Sequence, residues 1–173
     1  MKIDLATLKE TETSFDFLIK PSEIDFEGEG IKPLDDIRIE GTLSNGIMQT
    51  DIEGEIFAKV EVDCSRCLEA IEKDLEIPFS VGFADEENFS KLNEKELDAD
   101  DLELSLLEDD EIDLNEIVRE QILLAQPAQE FCREDCKGLC SECGQNQNLI
   151  DCKCKEKEVD PRWSALKNLK LNK

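Results

Sequence analysis

The chain has no histidine and no tyrosine, and only one tryptophan and two methionines. Histidine is the side chain whose ordinary pKa lies nearest neutrality, so without it acid–base work would fall to carboxylates or lysines. The acids here come in solvated runs with no apolar pocket signalled between them, which argues against an enzyme and against a small-molecule substrate. Positive charge is also scarce: 20 Lys and Arg stand against 44 Asp and Glu, a formal net charge of -24. Such a surface repels phosphate backbones and anionic membranes, and its natural partner is basic. Solubility, or an environment that favours acidic proteins, is the competing explanation. Long apolar runs are missing too. No stretch approaches the roughly 20 residues of a membrane span, and MKIDLATLKE lacks the apolar segment of a secretory signal. The expectation is a cytoplasmic chain with no membrane partner.

What the chain does have is eight cysteines, six of them between Cys132 and Cys154. In a reducing compartment, clustered cysteines point to metal more than to disulfides. With no imidazole available the ligands must be thiolates, and four of them close the coordination sphere of a structural zinc and leave no position for a catalytic water. Cys140-Ser-Glu-Cys143-Gly144 is the strongest piece, a tight turn presenting two sulfurs to one ion. Cys152-Lys-Cys154 supplies the obvious second pair, because residues i and i+2 of an extended segment point the same way. Cys132 and Cys136, four apart, either replace one of these pairs or contribute to a second site. Redox or regulatory thiols, and cysteines that are merely buried, are the rival readings.

The N-terminal two thirds reads as strands. Phe15, Phe17 and Ile19 alternate with polar residues until Pro21. Ile37, Ile39 and Leu43 alternate likewise and run into Asn45-Gly46, which signals a hairpin with a type I′ turn. The return strand carries Ile52, Gly54, Ile56, Ala58, Val60 and Val62 on one face, the pattern of an antiparallel sheet with one side in water. A further strand follows, with Ile71, Leu75, Ile77, Phe79, Val81 and Phe83 alternating against acids, and its Pro78 implies an edge or a bulge.

Cys64-Ser-Arg-Cys67 therefore sits at a hairpin tip. It is open to three readings: a redox motif, half of a zinc site completed by Cys132 and Cys136, or a turn of small buried cysteines whose loop serves as a contact surface.

From Asp85 to Asp113 fourteen acids meet two lysines, which predicts a mobile, solvated segment in which Leu102, Leu104 and Leu106 could form a short docked strand. A helix begins after Asp113, with Glu116 completing a capping-box pattern, Ile112 stapling onto Ile117, and Pro127 ending it. Its apolar face is read as Leu114, Ile117, Val118, Leu124 and Ala125, together with Gln121. Asp160-Pro161 opens a short closing helix with Trp163 as a packing anchor or contact residue.

The fold class is α+β: an antiparallel sheet of long hairpins, strongly twisted or partly barrel-like, covered by a helix and followed by a cysteine-rich zinc module. The division expected is 1–127 for the sheet and its helix, with 85–111 acidic and partly mobile, and 128–173 for the metal-binding module and closing helix.

Cys64-Ser-Arg-Cys67-Leu68-Glu69, the helix from Ile112 to Pro127, the segment Cys132 to Cys140, Cys143-Gly144, Cys152-x-Cys154 and Asp160-Pro161-Arg162-Trp163 stand in an order that resembles the YceD-like family, the large ribosomal RNA subunit accumulation proteins. Ser141 departs from it, since cysteine-rich members usually carry proline there. The resemblance implies a cytosolic, non-enzymatic protein needed for large-subunit ribosomal RNA accumulation, often described as metal-binding. Two modes of action follow. The first is contact with a basic ribosomal protein or assembly intermediate. The second is direct RNA binding through Arg66, Arg133, Lys137, Lys153, Lys155, Lys157, Arg162 and Trp163, local because the rest of the surface opposes it. A thiol oxidoreductase built on Cys64 and Cys67 is the third reading.

Overall fold

The computed structural model describes residues 1–5, 11–85, 88, 104–107 and 111–154. The closing helix, with Lys155, Lys157, Arg162 and Trp163, lies outside the described residues, as does most of the acidic segment, Leu102 included.

Among the described residues, eight strands and one α-helix follow in order: β1 (Lys2–Asp4), β2 (Glu12–Ile19), β3 (Ile31–Pro33), β4 (Ile37–Asn45), β5 (Thr50–Asp63), β6 (Ala70–Ala84), β7 (Leu104–Leu106), β8 (Glu111–Asp113) and α1 (Leu114–Leu124). The main sheet runs β2-β4-β5-β6-β7, with β3 beside β4 on the same edge of β5, and β1 pairs with β8 as a separate two-stranded ribbon. Its long axis is the β5–β6 hairpin, paired residue for residue from Thr50↔Phe83 to Asp63↔Ala70.

Alternation decides which face is buried. Ile37, Ile39 and Leu43 of β4 and Ile52, Ile56 and Val60 of β5 are almost fully enclosed, while Glu53 and Glu55 stand in water. Helix α1 covers that face with Leu114, Ile117, Val118 and Ile122, joined by Ile112. Each such aliphatic side chain contributes about 1.5–3 kcal/mol on burial. The Asp113 side chain accepts a hydrogen bond from the Asn115 N–H at 2.9 Å, capping the helix. Arg119 fixes it laterally, donating to the Asp25 carbonyl at 2.8 Å and pairing with Glu29 at 3.0 Å.

Several expectations are corrected. The sheet is open, with β2 and β7 as its outer strands, and is not closed into a barrel. The unbroken β5–β6 register supplies none of the bulges that would bend long strands toward closure. Asn45-Gly46 does not form a two-residue turn. Asn45 pairs with Thr50 across a four-residue loop closed by the Gly46 N–H on the Gln49 carbonyl at 2.9 Å, and neither Asn45 nor Gly46 takes the positive φ a type I′ turn needs. Pro78 carries no bulge, and among the described residues it lies on an edge, because only Gly82–Ala84 of β6 find a second neighbour there, in β7. That neighbour runs parallel. The buried stripe of α1 turns through Ile122 and leaves Leu124 76 % exposed, since positions 114, 118 and 122 track the sheet at 3.6 residues per turn and the helix ends as it passes the sheet. It ends at Leu124 with Ala125 as its C-cap, just before Pro127, whose bias against helical backbone falls on Gln126.

Candidate metal centres

Two turns of the same design carry Cys64 with Cys67 and Cys140 with Cys143. At the tip of the β5–β6 hairpin the Cys64 N–H donates to the Glu69 carbonyl at 2.9 Å and the Leu68 N–H donates to the Cys64 carbonyl at 2.9 Å. In the C-terminal module the Cys140 N–H donates to the Gln145 carbonyl at 2.8 Å and the Gly144 N–H to the Cys140 carbonyl at 2.9 Å. The residue after each second cysteine takes a left-handed backbone, φ 58° at Leu68 and 72° at Gly144. Glycine adopts that conformation freely, whereas leucine pays about 1–2 kcal/mol for it. The turn places the Glu142 N–H 3.4 Å from the Cys140 sulfur, the kind of donor that stabilises a thiolate.

The fold sorts the eight cysteines into two tetrads. Cys64, Cys67, Cys132 and Cys136 form one, Cys140, Cys143, Cys152 and Cys154 the other, and within each the sulfurs all lie within 4.8 Å of one another. Cys64 to Cys136 measures 3.8 Å and Cys67 to Cys132 3.6 Å. A tetrahedral ion with sulfur bonds near 2.3 Å spaces its ligands about 3.8 Å apart. The donor sets therefore fit a soft, four-coordinate ion, and both tetrads could hold one.

Charge within each tetrad asks for a cation. Burial pushes the Cys64 thiol up, but the N–H groups of Cys132, Arg66 and Cys67 more than offset it and bring the thiol down to about 6. Cys136 is also held below the ordinary thiol value despite burial, chiefly by the Asn148 side-chain amide. Their partners move the other way: burial, then the neighbouring sulfurs, push Cys132 up to about 12, and burial raises Cys67. In the second tetrad the Cys143 and Glu142 N–H groups lower Cys140 to about 6, while Cys143, together with burial, pushes Cys154 up to about 12. Adjacent sulfurs cannot all ionise by themselves, and a bound cation relieves that repulsion.

The first tetrad ties the segment after α1 to the main sheet. Ser65 and Glu130 exchange two hydrogen bonds, the Ser65 N–H to the Glu130 carbonyl at 2.7 Å and the Glu130 N–H to the Ser65 hydroxyl at 3.0 Å. The Arg66 guanidinium lies 4.2 Å from the Phe131 ring centroid and donates to the Cys136 carbonyl at 3.0 Å. Gly138, at φ 75°, passes so close that a Cβ there would stand 3.0 Å from the Arg66 carbonyl oxygen. Asn148, in the loop between Cys143 and Cys152, reaches the first tetrad: its side chain donates to the Cys136 sulfur at 3.3 Å and accepts from the Lys137 N–H at 2.8 Å.

Among the expected contact residues, Arg66 is thus committed to the clamp, and Arg133 lies 3.6 Å from Asp135. Lys137 and Lys153 are exposed with no ion pair among the described residues. Leu68 and Asn148 were missed by sequence reasoning. Leu68 had a signal, since it stands where Gly144 stands in the parallel turn. Asn148 had none, because its role depends on a contact twelve positions away.

The sequence model of the family described as "Large ribosomal RNA subunit accumulation protein YceD" matches residues 52–170. A Bacillus subtilis protein described as "Uncharacterized protein YlbN" is 29 % identical over 156 residues, covering 90 % of this chain and 86 % of that protein. "Uncharacterized protein Rv2926c" of Mycobacterium tuberculosis is 28 % identical over 131 residues, 76 % of this chain but 58 % of its own length. An Arabidopsis thaliana protein, "Large ribosomal RNA subunit accumulation protein YCED homolog 1, chloroplastic", is 35 % identical over 60 residues, 35 % of this chain and 19 % of that protein. No solved structure matches. Among the described residues no helix is long and apolar enough to cross a membrane.

Proposed function

We propose that this chain, which belongs to the YceD family of large ribosomal RNA subunit accumulation proteins, is a non-enzymatic cytoplasmic factor that supports large-subunit assembly by holding a basic ribosomal protein or an assembly intermediate. The family match carries the reading. The charge distribution supports the choice of partner: on the outer face of the sheet Glu12, Glu40, Glu53, Glu55, Asp74 and Glu76 stand in or near water, with Arg38, Lys59 and Lys32 as cations on the same face.

Zinc is the ion proposed for both tetrads, because all-thiolate sets without imidazole suit a closed structural site. Its chemistry when bound is to hold four thiolates in fixed array. The protein's own residues do the rest: N–H groups from both turns and the Asn148 amide face the sulfurs, and Arg66 fastens the clamp. Residues 128–173 then act as a metal-bound module attached to the sheet-and-helix body of residues 1–127, and no small molecule is turned over.

Affinity purification of the tagged protein from cells at increasing salt tests the reading. Large-subunit precursor particles or a basic large-subunit protein should co-purify and dissociate as salt rises. Recovery of neither would sink it. Lys137 and Lys153, exposed and without an ion pair among the described residues, favour a second reading, direct contact of the C-terminal module with ribosomal RNA. It predicts salt-sensitive RNA binding that is lost on Lys137→Glu with Lys153→Glu.

A further inference from the structure

Among the described residues, the outer edge of β6 is the longest run of strand backbone without a strand partner. β6 spans 15 residues, pairs throughout with β5, and meets β7 only at Gly82–Ala84. Backbone direction along it follows from two hydrogen bonds. The Ala84 carbonyl accepts from the Leu107 N–H on the β7 side, and the Glu69 carbonyl accepts from the Cys64 N–H on the β5 side. Alternation then turns the even-numbered residues outward. From Glu72 to Ser80 the edge offers the N–H and C=O groups of Glu72, Asp74, Glu76 and Ser80 and the carbonyl of Pro78. Pro78 thus faces its missing N–H away from the β5 ladder, where it costs no internal hydrogen bond and discourages pairing between copies.

The edge is not bare sheet. Between it and α1 runs a groove lined by Phe79, Val81, Gln121 and Leu124, of which Leu124 is a large apolar side chain left 76 % exposed. Carboxylates stand on both banks. Asp74 and Glu76 are exposed on the outer face of the sheet, and Glu116 and Glu120 are exposed on α1. None of the four has a salt-bridge partner among the described residues, although Glu72 next along the edge is paired with Lys59 at 2.8 Å.

We infer that this edge takes an extended basic segment of a partner protein as an added strand. The segment pairs its backbone with Glu72 to Ser80. Its alternate side chains divide between lysine or arginine against the carboxylates and apolar groups against Phe79, Val81 and Leu124. Backbone pairing supplies affinity without demanding one sequence, and charge on both banks selects against acidic strands, including another copy of this chain. The inference rests on the proposed basic partner and names both the surface and the form in which that partner binds.

The probe is a fluorescent ten-residue peptide alternating lysine and valine, titrated into the full-length protein. Glu76→Pro removes one outward N–H without touching the β5 ladder, and Glu76→Gln removes the same charge while keeping the N–H. The expected result is binding weakened at least tenfold by Glu76→Pro and only a few-fold by Glu76→Gln. A peptide N-methylated at alternate residues should bind the unaltered protein at least tenfold more weakly, which keeps the test intact if Glu76→Pro fails to fold. No binding, or equal binding of plain and N-methylated peptides, overturns the inference. Affinity purification separates it from the functional reading. If the unaltered protein and Glu76→Pro recover large-subunit material equally, the edge is not the native contact and the family reading stands. If the unaltered protein recovers none, the functional reading fails and the peptide titration alone decides the edge.

Discussion

Replacing Cys64 and Cys136 together by serine should cost the fold much more than replacing Cys143 and Cys152, although each pair removes half of one tetrad. The first tetrad joins cysteines 65 positions apart, Cys67 and Cys132. Chain-entropy arithmetic assigns a clip closing a loop of that length about 4 kcal/mol of destabilisation of the unfolded state. Cys143 and Cys152 enclose a loop of about nine residues, worth about 2.5 kcal/mol by the same relation. The longer clip also holds the segment after α1 against the β5–β6 hairpin, whereas the shorter one orders only a peripheral segment that can open without the sheet. At about 2–4 °C per kcal/mol for a chain of this size, the main thermal transition should fall by about 10 °C in the first variant and by a few degrees in the second. Melting curves with zinc and with excess chelator provide the assay. Chelation should bring the unaltered protein close to the first variant, which separates loss of metal from the change of side chain. Equal shifts in the two variants, or a larger one from the C-terminal pair, would refute the assignment of the clamp to the first tetrad.

Three further outcomes follow from local geometry. Leu68 holds a left-handed backbone while 64 % exposed, so Leu68→Gly should stabilise by about 0.5–1 kcal/mol and Leu68→Ala should not, a contrast read from urea unfolding. A Cβ on Gly54 would stand 2.1 Å from the Glu40 carbonyl oxygen and 2.9 Å from the Gly41 Cα, so Gly54→Ala should cost about 3 kcal/mol or more by forcing β4 and β5 apart, measured by chemical denaturation. Arg38 holds the Asp16 carboxyl below its ordinary value of 3.8 through hydrogen bonds at 2.9 and 3.0 Å. That stabilisation is present above the unfolded-state value and is lost as pH falls through the depressed folded-state value. Arg38→Ala should therefore lose stability at pH 7 but little at pH 2, with the difference shrinking in high salt because the pair is exposed.

Much of the sheet was legible because alternation is a local property. Ile52 through Val62 and Ile71 through Phe83 declare their buried faces by period alone, and Asp113 declares its cap. What was not legible depended on residues distant in sequence. Asn45-Gly46 carries the signal of a tight turn, yet the register is set by Leu43 pairing with Ile52, and that register leaves four residues to span. The helix face was misjudged at Ile122 because its last turn is fixed by where the sheet ends. The cysteines show the same division: spacing identifies each local pair, and the reading that Cys132 and Cys136 complete the Cys64–Cys67 pair is the one the fold brings together, but nothing in Cys132-x-x-x-Cys136 chooses the hairpin tip over the C-terminal pairs. The clue lay in the likeness of Cys64-Ser-Arg-Cys67-Leu68 to Cys140-Ser-Glu-Cys143-Gly144, obscured by leucine in a position that favours glycine.

The account turns on the eight cysteines forming two separate closed centres, one fastening the body and one within the module. Native mass spectrometry of the zinc-loaded protein measures this directly. Two zinc ions per chain are expected, falling to one in Cys64→Ser with Cys136→Ser and to one in Cys143→Ser with Cys152→Ser. A chain that carries no zinc, or a single ion lost in both variants, would contradict it.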